Sequence, residues 1–434
     1  MPAAKRHPKK HSKLDKSTVP SSASDGKQHT AVNTTKPTVP RQSYQHNRRR
    51  GCSHRTWLES AFRKQYYPHW IAISLIALLL AVGYQRWDVV TGFVRGMSNR
   101  PWKVIGGEQS WQDGWLSGGD IDRRSNLSLQ EFRQVYDGKR PVLITDVLQD
   151  WGAMRWNRDY FISRYGKHRV VMKAVEGTLD QAEGFSLPLE MFVAHVQDSS
   201  PHRWTYVEDE LFIPHTANLR KDIGSCPYLE EDFFKLFPKE IRPWDAMLLW
   251  GTRYSRSSLH IDPYNWTGTN ALINGKKQWK LYPPGQDEHL YVLPDRMSGF
   301  PLKSYKYNSP VDAFAPDLER YPNFAKAKAV EFTQYPGELL FIPTGWFHQA
   351  YNAKETIAVS GQVMNTANYR MVLEEIFKAG SVDMRSLPTN FDDMAPIEQV
   401  RAAIQSIPQS ILDEGRRVTQ NALNEVKRTP HEHN

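Results

Sequence analysis

Two stretches about ninety residues apart share one grammar: a short apolar run, a turn built from Gly, Pro or Ser, and then a histidine. In the first, Ala246-Met-Leu-Leu-Trp250 leads through Gly251 and the Ser-rich 255–258 to His260-Ile-Asp262-Pro263. In the second, the Pro336-Gly337 turn leads into Leu339-Leu-Phe-Ile342, then the Pro343-Thr-Gly345 turn, then His348. Between them Ala271-Leu-Ile273 reads as strand, Asn274-Gly275 as a tight hairpin turn and Gln278-Trp-Lys-Leu-Tyr282 as an alternating strand. Short strands punctuated in this way restrict the region to a mostly β barrel, and the turn edges of such a barrel are where inward-facing side chains converge.

The triplet His260-x-Asp262 says little by itself. With 15 His and 47 acidic residues in 434, about one or two His-x-[Asp/Glu] triplets arise by chance, and a short motif gains meaning only from its structural context. Here the context is supplied by the flanking strands and by His348. Two histidines and one aspartate form a 2-His-1-carboxylate set, which leaves positions on Fe(II) open for a co-substrate and O₂. The pattern points to oxidative chemistry. The paired tail histidines His431 and His433 are a weaker constellation, since a polar chain end is ordinarily frayed.

The stretch from about 128 to 366 resembles the JmjC (jumonji C) domain, a cupin-superfamily fold of Fe(II)/2-oxoglutarate-dependent oxygenases. It is most similar to the small JmjC protein hydroxylases of the phosphatidylserine-receptor-like lysyl hydroxylase group. The likeness rests on the two histidine stretches, on Arg140-Pro-Val-Leu-Ile-Thr-Asp146 and on the apolar-aromatic run from Trp151 to Tyr165. It implies a double-stranded β-helix (jelly-roll) barrel with flanking helices. It also implies that His260, Asp262 and His348 bind iron, and that Lys277 pairs with the distal carboxylate of 2-oxoglutarate. A cation is required there because a buried carboxylate without a partner costs several kcal/mol. Asn270, Ser257, Ser360 and Tyr206 fall at co-substrate-contacting positions, the two serines standing where close relatives have threonine. The ordinary alternatives are a solvated Lys276-Lys277 pair, serines that only serve a turn and a strand, and Trp266, Trp279 and Trp346 as packing residues.

Charge is distributed unevenly. Residues 1–69 hold 15 Lys/Arg against Asp15, Asp25 and Glu59, a net of +12, which leaves −3 for the remainder of a chain whose total is +9. The basic character therefore belongs to the tail. Rich in Lys, Ser, Thr, Pro and His, this tail cannot bury enough apolar surface to offset its ordering entropy and is expected to be disordered. Clusters such as Arg48-Arg49-Arg50 could touch nucleic acid or anionic lipid, but a solvated tail is the default expectation. After it, Trp70 to Tyr84 is uncharged and mostly apolar, flanked by Tyr66, Tyr67 and Trp87. This reads as a transmembrane helix over 70–87 with aromatic belts, although its central fifteen residues span only about 22 Å. A signal peptide would not follow so long a tail. Positive charges balance on the two sides, and Arg41, Arg48 and Arg49 tip the orientation towards a cytoplasmic N-terminus, giving a single-pass type II protein with its catalytic domain in the lumen of the endoplasmic reticulum or another secretory-pathway compartment. Asn126-Leu-Ser128 is a sequon that fits this placement. Asn265-Trp-Thr267 is another that fits it poorly, because it lies in the site loop.

Residues 88–127 read as a stalk and 367–434 as a helical segment, with Tyr369 to Phe377 ending before Gly380 and Pro396 to Lys427 interrupted at Pro408. The C-terminal helices are expected to pack on the barrel, with pairing of two copies left open. Cys52 and Cys226 cannot form a disulfide within the catalytic part and do not have zinc-site spacing. Three readings of function follow: a membrane-anchored oxygenase hydroxylating a side chain of a protein or peptide, a JmjC demethylase of N-methyl-lysine or arginine, or a silent cupin acting as a binding module. The complete ligand set favours the first over the third, and the anchor favours the first over the second.

Overall fold

The computed structural model describes residues 120–177, 179, 182–298 and 302–427. The basic tail, the apolar segment 70–87 and all but the end of 88–127 lie outside the described residues. Among the described residues no helix is long and apolar enough to cross a membrane.

Fifteen strands, β1 to β15 in chain order, form two sheets among the described residues. The nine-stranded sheet runs β1 (Asp122–Arg124), β2 (Val142–Ile144), β13 (Leu339–Ile342), β8 (Thr267–Asn274), β15 (Thr356–Val363), β6 (Met247–Gly251), β5 (Arg203–Asp209), β3 (Arg169–Glu176) and β4 (Glu183–Pro188). The six-stranded sheet runs β10 (Leu293–Ser298), β11 (Ser304–Ser309), β7 (Leu259–His260), β14 (Phe347–Asn352), β9 (Lys277–Tyr282) and β12 (Val330–Gln334). Among the described residues only β1 and β2 pair in parallel. Residues 120–127, read from sequence as the end of a stalk, belong to the folded part: Asp122–Arg124 is a sheet strand, and Ile121 and Leu127 are buried.

From β6 to β9, and again from β12 to β15, successive strands alternate between the two sheets. This corrects the sequence-based expectation of a hairpin at Asn274-Gly275. Strands β8 and β9 on either side of that turn lie in different sheets, so the turn carries the chain across the barrel. The reason lies in Gly275, whose φ is +97° and whose Cβ, if present, would sit 2.0 Å from the Glu355 carbonyl oxygen. The close approach of the 353–356 segment needs a residue without a side chain. The turns at Gly337 and Gly345, with φ +91° and +82°, likewise join strands of different sheets.

The outer face of the large sheet is covered by the N-terminal helices. Helix Arg158–Tyr165, capped by the Asn157 side chain on the Tyr160 N–H, places Phe161 with its ring centroid 5.1 Å from that of Trp250. At the other end the helices Tyr369–Lys378, Pro396–Gln405 and Gln409–Lys427 form as the periodicity predicts, the break falling at Pro408. Val372, Leu373, Ile376, Val400 and Ala403 bury against Phe233, Phe234 and Phe237. Each fully buried large apolar side chain there contributes about 1.5–3 kcal/mol, so this segment is part of the domain. Replacing Gly275 by Val adds strain at a positive φ and drives a side chain into backbone. The expected cost is about 2 kcal/mol or more, seen as a thermal unfolding midpoint several degrees below that of the parent.

Candidate metal centre

Strand alternation brings β7 and β14 side by side, with His260 directly opposite His348 in the antiparallel register. Opposed residues project to one face, and the two imidazole centroids are 4.5 Å apart. Asp262 follows β7 by two residues. Its Oδ1 lies 3.7 Å from Nε2 of His260 and 3.6 Å from Nε2 of His348. One ligand atom from each of the three lies within 4.8 Å of the others, and this is the metal-ligating cluster found among the described residues.

The local backbone fixes which nitrogen faces inward. Nδ1 of His260 lies 2.8 Å from the Ser258 carbonyl and Nδ1 of His348 lies 3.1 Å from that of Trp346. A carbonyl can only accept, so each Nδ1 carries the proton and each Nε2 presents a lone pair. Burial pulls both histidines down to about 4, and for His260 the neighbouring His348 adds to the effect. Both are neutral, ligand-competent donors at neutral pH. Burial raises Asp262, opposed by His260 and a hydrogen bond from Trp266. Gly268 at the inner face of β8 makes room for this carboxylate: a Cβ there would lie 2.0 Å from Asp262 Oδ2.

Lys277 opens β9 opposite Asn352 of β14, on the inward face that also carries His348. Its side chain is fully buried. Its Nζ donates to the Tyr206 hydroxyl at 3.4 Å and lies 5.5 Å from the Trp279 ring centroid. Among the described residues no carboxylate lies within ion-pair distance of it, and burial pulls its pKa down to about 7 against the weaker pull of Glu208. Asn270, on β8 of the other sheet, is buried, and its Oδ1 lacks a hydrogen-bond partner among the described residues. A buried ammonium without an anion is what the far carboxylate of a dicarboxylic acid would complete.

The remaining sequence-selected residues are placed as follows. Tyr206 on β5 is buried, and burial raises its pKa. Ser360 on β15 is opposite Asn270 and donates to the Thr269 carbonyl at 3.1 Å. Ser257 accepts the Ala350 N–H at 3.1 Å, which keeps its own proton available for donation. Both serines thus have a structural role alongside any contact with a ligand. Trp279 and Trp346 are buried packing residues.

Sequence reasoning missed the residues that hold the two histidine stretches together. Tyr264 and Asn265 are consecutive left-handed residues, φ 55° and 53°. The Asn265 Oδ1 accepts the Gly345 N–H at 2.6 Å, tying the loop after Asp262 to the turn before His348. The Tyr264 hydroxyl accepts the Leu302 N–H at 2.8 Å. The available signals were an Asn after an aromatic in a loop and a glycine opening a strand, and both are too common to stand out. Glu208, ion-paired to Lys173 at 2.8 Å, was likewise passed over.

Residues 128–371 match the cupin-like domain family, and the chain belongs to it. Its relatives include the lysine-specific demethylase JMJ21 of Arabidopsis thaliana, 31% identical over 58% of this chain and 26% of that protein. The 2-oxoglutarate and iron-dependent oxygenase JMJD4 of Gallus gallus is 34% identical over 57% of this chain and 60% of its own length. The bifunctional arginine demethylase and lysyl-hydroxylase psr-1 of Caenorhabditis elegans is 25% identical over 58% of this chain and 63% of its own. The matched segment therefore spans less than two thirds of each of these relatives. In this cupin-like domain the donor set of His260, Asp262 and His348 could hold a metal ion, and one relative is named for its dependence on iron and 2-oxoglutarate.

With the Lys277 ammonium as the partner that the sequence assigns to the distal carboxylate of 2-oxoglutarate, its pKa predicts a pH-dependent binding of that ligand. In the free protein the ammonium is present below about pH 7 and lost above it, whereas a bound carboxylate favours the charged form. Above pH 7 binding must take up a proton, so 2-oxoglutarate affinity falls by up to about tenfold per pH unit. Calorimetric titration with Mn(II) in place of iron, on both sides of pH 7, should show this slope. Lys277→Met should bind more weakly and without the slope.

Proposed function

We propose that this protein is an Fe(II)- and 2-oxoglutarate-dependent dioxygenase that hydroxylates a protein side chain. The observation that carries the reading is the fully buried, anion-less Lys277 on the same inward face as the His260–Asp262–His348 cluster. When bound, iron supplies the activation of O₂, with 2-oxoglutarate converted to succinate and CO₂ and one oxygen atom delivered to a substrate C–H bond. The rest is done by the chain. His260 and His348 hold Nε2 inward through their Nδ1–H bonds to Ser258 and Trp346, and burial keeps them neutral. Lys277 anchors the distal carboxylate, and Tyr206 and Trp279 pack around its ammonium and exclude water. Such positioning and dryness are the protein's contribution when a cofactor does the chemistry.

N-demethylation is the second reading, supported by the demethylase names of several relatives. It shares the first step and differs in outcome, because a hydroxylated N-methyl group is lost as formaldehyde. Incubation of the full chain with Fe(II), 2-oxoglutarate and a peptide library, followed by mass spectrometry, separates them. Hydroxylation adds one oxygen atom to a peptide and releases no formaldehyde, and Asp262→Ala abolishes the change. Methyl loss with formaldehyde would establish demethylation. Wild-type protein that consumes no 2-oxoglutarate at all would leave only a binding module.

The apolar segment 70–87 with its aromatic flanks supports a single-pass anchor, with the catalytic domain in the lumen of the secretory pathway. Two sequons make this testable. Asn265 uses its amide oxygen inside the fold and Thr267 accepts from Asn368 at 3.0 Å, whereas Asn126 is exposed at φ 51°. The protein should stay with carbonate-washed membranes, keep its C-terminus protease-protected in sealed vesicles and carry glycan at Asn126 and not at Asn265. Extraction by carbonate would remove the anchor, and digestion of the C-terminus would reverse the orientation.

A further inference from the structure

A cavity of about 630 Å³ lies between the segment 232–245 and the helix Gln409–Lys427. It adjoins the metal centre through β15. Gln362 lines the cavity, with its amide donating to the Trp244 carbonyl. Gln362 stands opposite Gly268 in the β15–β8 register, and Gly268 is the residue against which the Asp262 carboxylate rests. The far wall is the C-terminal helix. It makes its closest approach at Gly415, where a Cβ would lie 2.4 Å from the Glu240 carbonyl oxygen. Its next turns supply Thr419 and Leu423 to the cavity, and the Thr419 Oγ1 is buried without a hydrogen-bond partner among the described residues.

The lining is charged, and its ion pairs show what is left over. Arg416 pairs with Glu240 at 3.3 Å and with Asp413, outside the lining, at 3.1 Å, and Arg220 pairs with Asp245 at 2.6 Å. Lys235, Lys239 and Arg242 then stand against Asp232. Arg242 is pinned by the carbonyls of Lys235 and Phe237, both at 2.7 Å, which fix the guanidinium without cancelling its charge. Asp232 already accepts the Phe234 N–H at 3.0 Å. The concave lining therefore holds five basic side chains against three acidic ones, although the chain beyond residue 69 carries a net of −3. A concave wall with one sign of charge concentrates ligands of the opposite sign.

We propose that this cavity is a docking groove for an acidic stretch of the substrate protein. Calling the ligand a substrate rests on the hydroxylase reading; the preference of the groove for acidic peptide does not. Lys235 and Lys239 are exposed and supply the adjustable attraction, while the half-buried Trp244 supplies apolar surface.

The test is fluorescence anisotropy of the full chain with a labelled glutamate-rich peptide, a lysine-rich peptide of equal length and a single-stranded RNA of equal length. The glutamate-rich probe should bind in preference to the other two, and more weakly as salt rises. Lys235→Glu combined with Lys239→Glu should weaken it at least about fivefold, and Lys235→Gln combined with Lys239→Gln should weaken it less. An unchanged thermal midpoint and unchanged consumption of 2-oxoglutarate without substrate would show that both variants are folded. Equal binding of the three probes, preference for RNA, or no effect of either double variant would overturn the proposal. Because binding is read without turnover, an inactive enzyme that still selects the acidic probe would sink the hydroxylase reading alone.

Discussion

The geometry of the centre depends on one pairing, His260 opposite His348, in a two-residue strand that joins β11 to β14. Two histidines 88 positions apart in the chain meet because successive strands cross from one sheet to the other, so that β7 and β14 become neighbours. A one-residue slip in either strand would turn one imidazole to the opposite face. The register is protected from outside the pair. Asn265 bonds the turn that launches β14, Ser257 exchanges hydrogen bonds with Ala350, and Gln349 donates to the Ser257 carbonyl at 2.7 Å.

The electrostatics divide the centre into a neutral end and a charged end. At the metal end, burial discharges both histidines, as a divalent cation requires of its ligands. At the far end, burial works against Lys277, and no carboxylate of the described chain has moved in to relieve it. Leaving a cation in that condition costs stability that a packed methionine would not, and such costs persist in proteins chiefly where a ligand repays them. Glu208, paired with Lys173 beside Tyr206, sits close enough to matter but is held by another lysine.

Much of this was legible in the sequence because its signals are local. The strand-and-turn punctuation around residues 246–282 and 336–348 marked the β architecture. The triplet with His348 marked the three donors that the fold brings together, and the helix break at Pro408 fell where proline removes a donor. What escaped were features created by contact between distant segments. Asn274-Gly275 has the composition of a hairpin turn, and only the proximity of Glu355 makes it a crossing between sheets. Gly268 is one glycine among 26 until the Asp262 carboxylate is placed against it. Residues 120–127 look like a linker because β1 is three residues long and has meaning only beside β2.

The central claim is that one ion and one dicarboxylate share this barrel, with Lys277 as the counter-cation. A crystal structure of the protein with Mn(II) and 2-oxoglutarate tests it most directly. The account predicts one ion held by Nε2 of His260, Nε2 of His348 and the Asp262 carboxylate, with the distal carboxylate of 2-oxoglutarate on the Lys277 ammonium. An ion bound by other residues, or a co-substrate that leaves Lys277 without an anion, would contradict it.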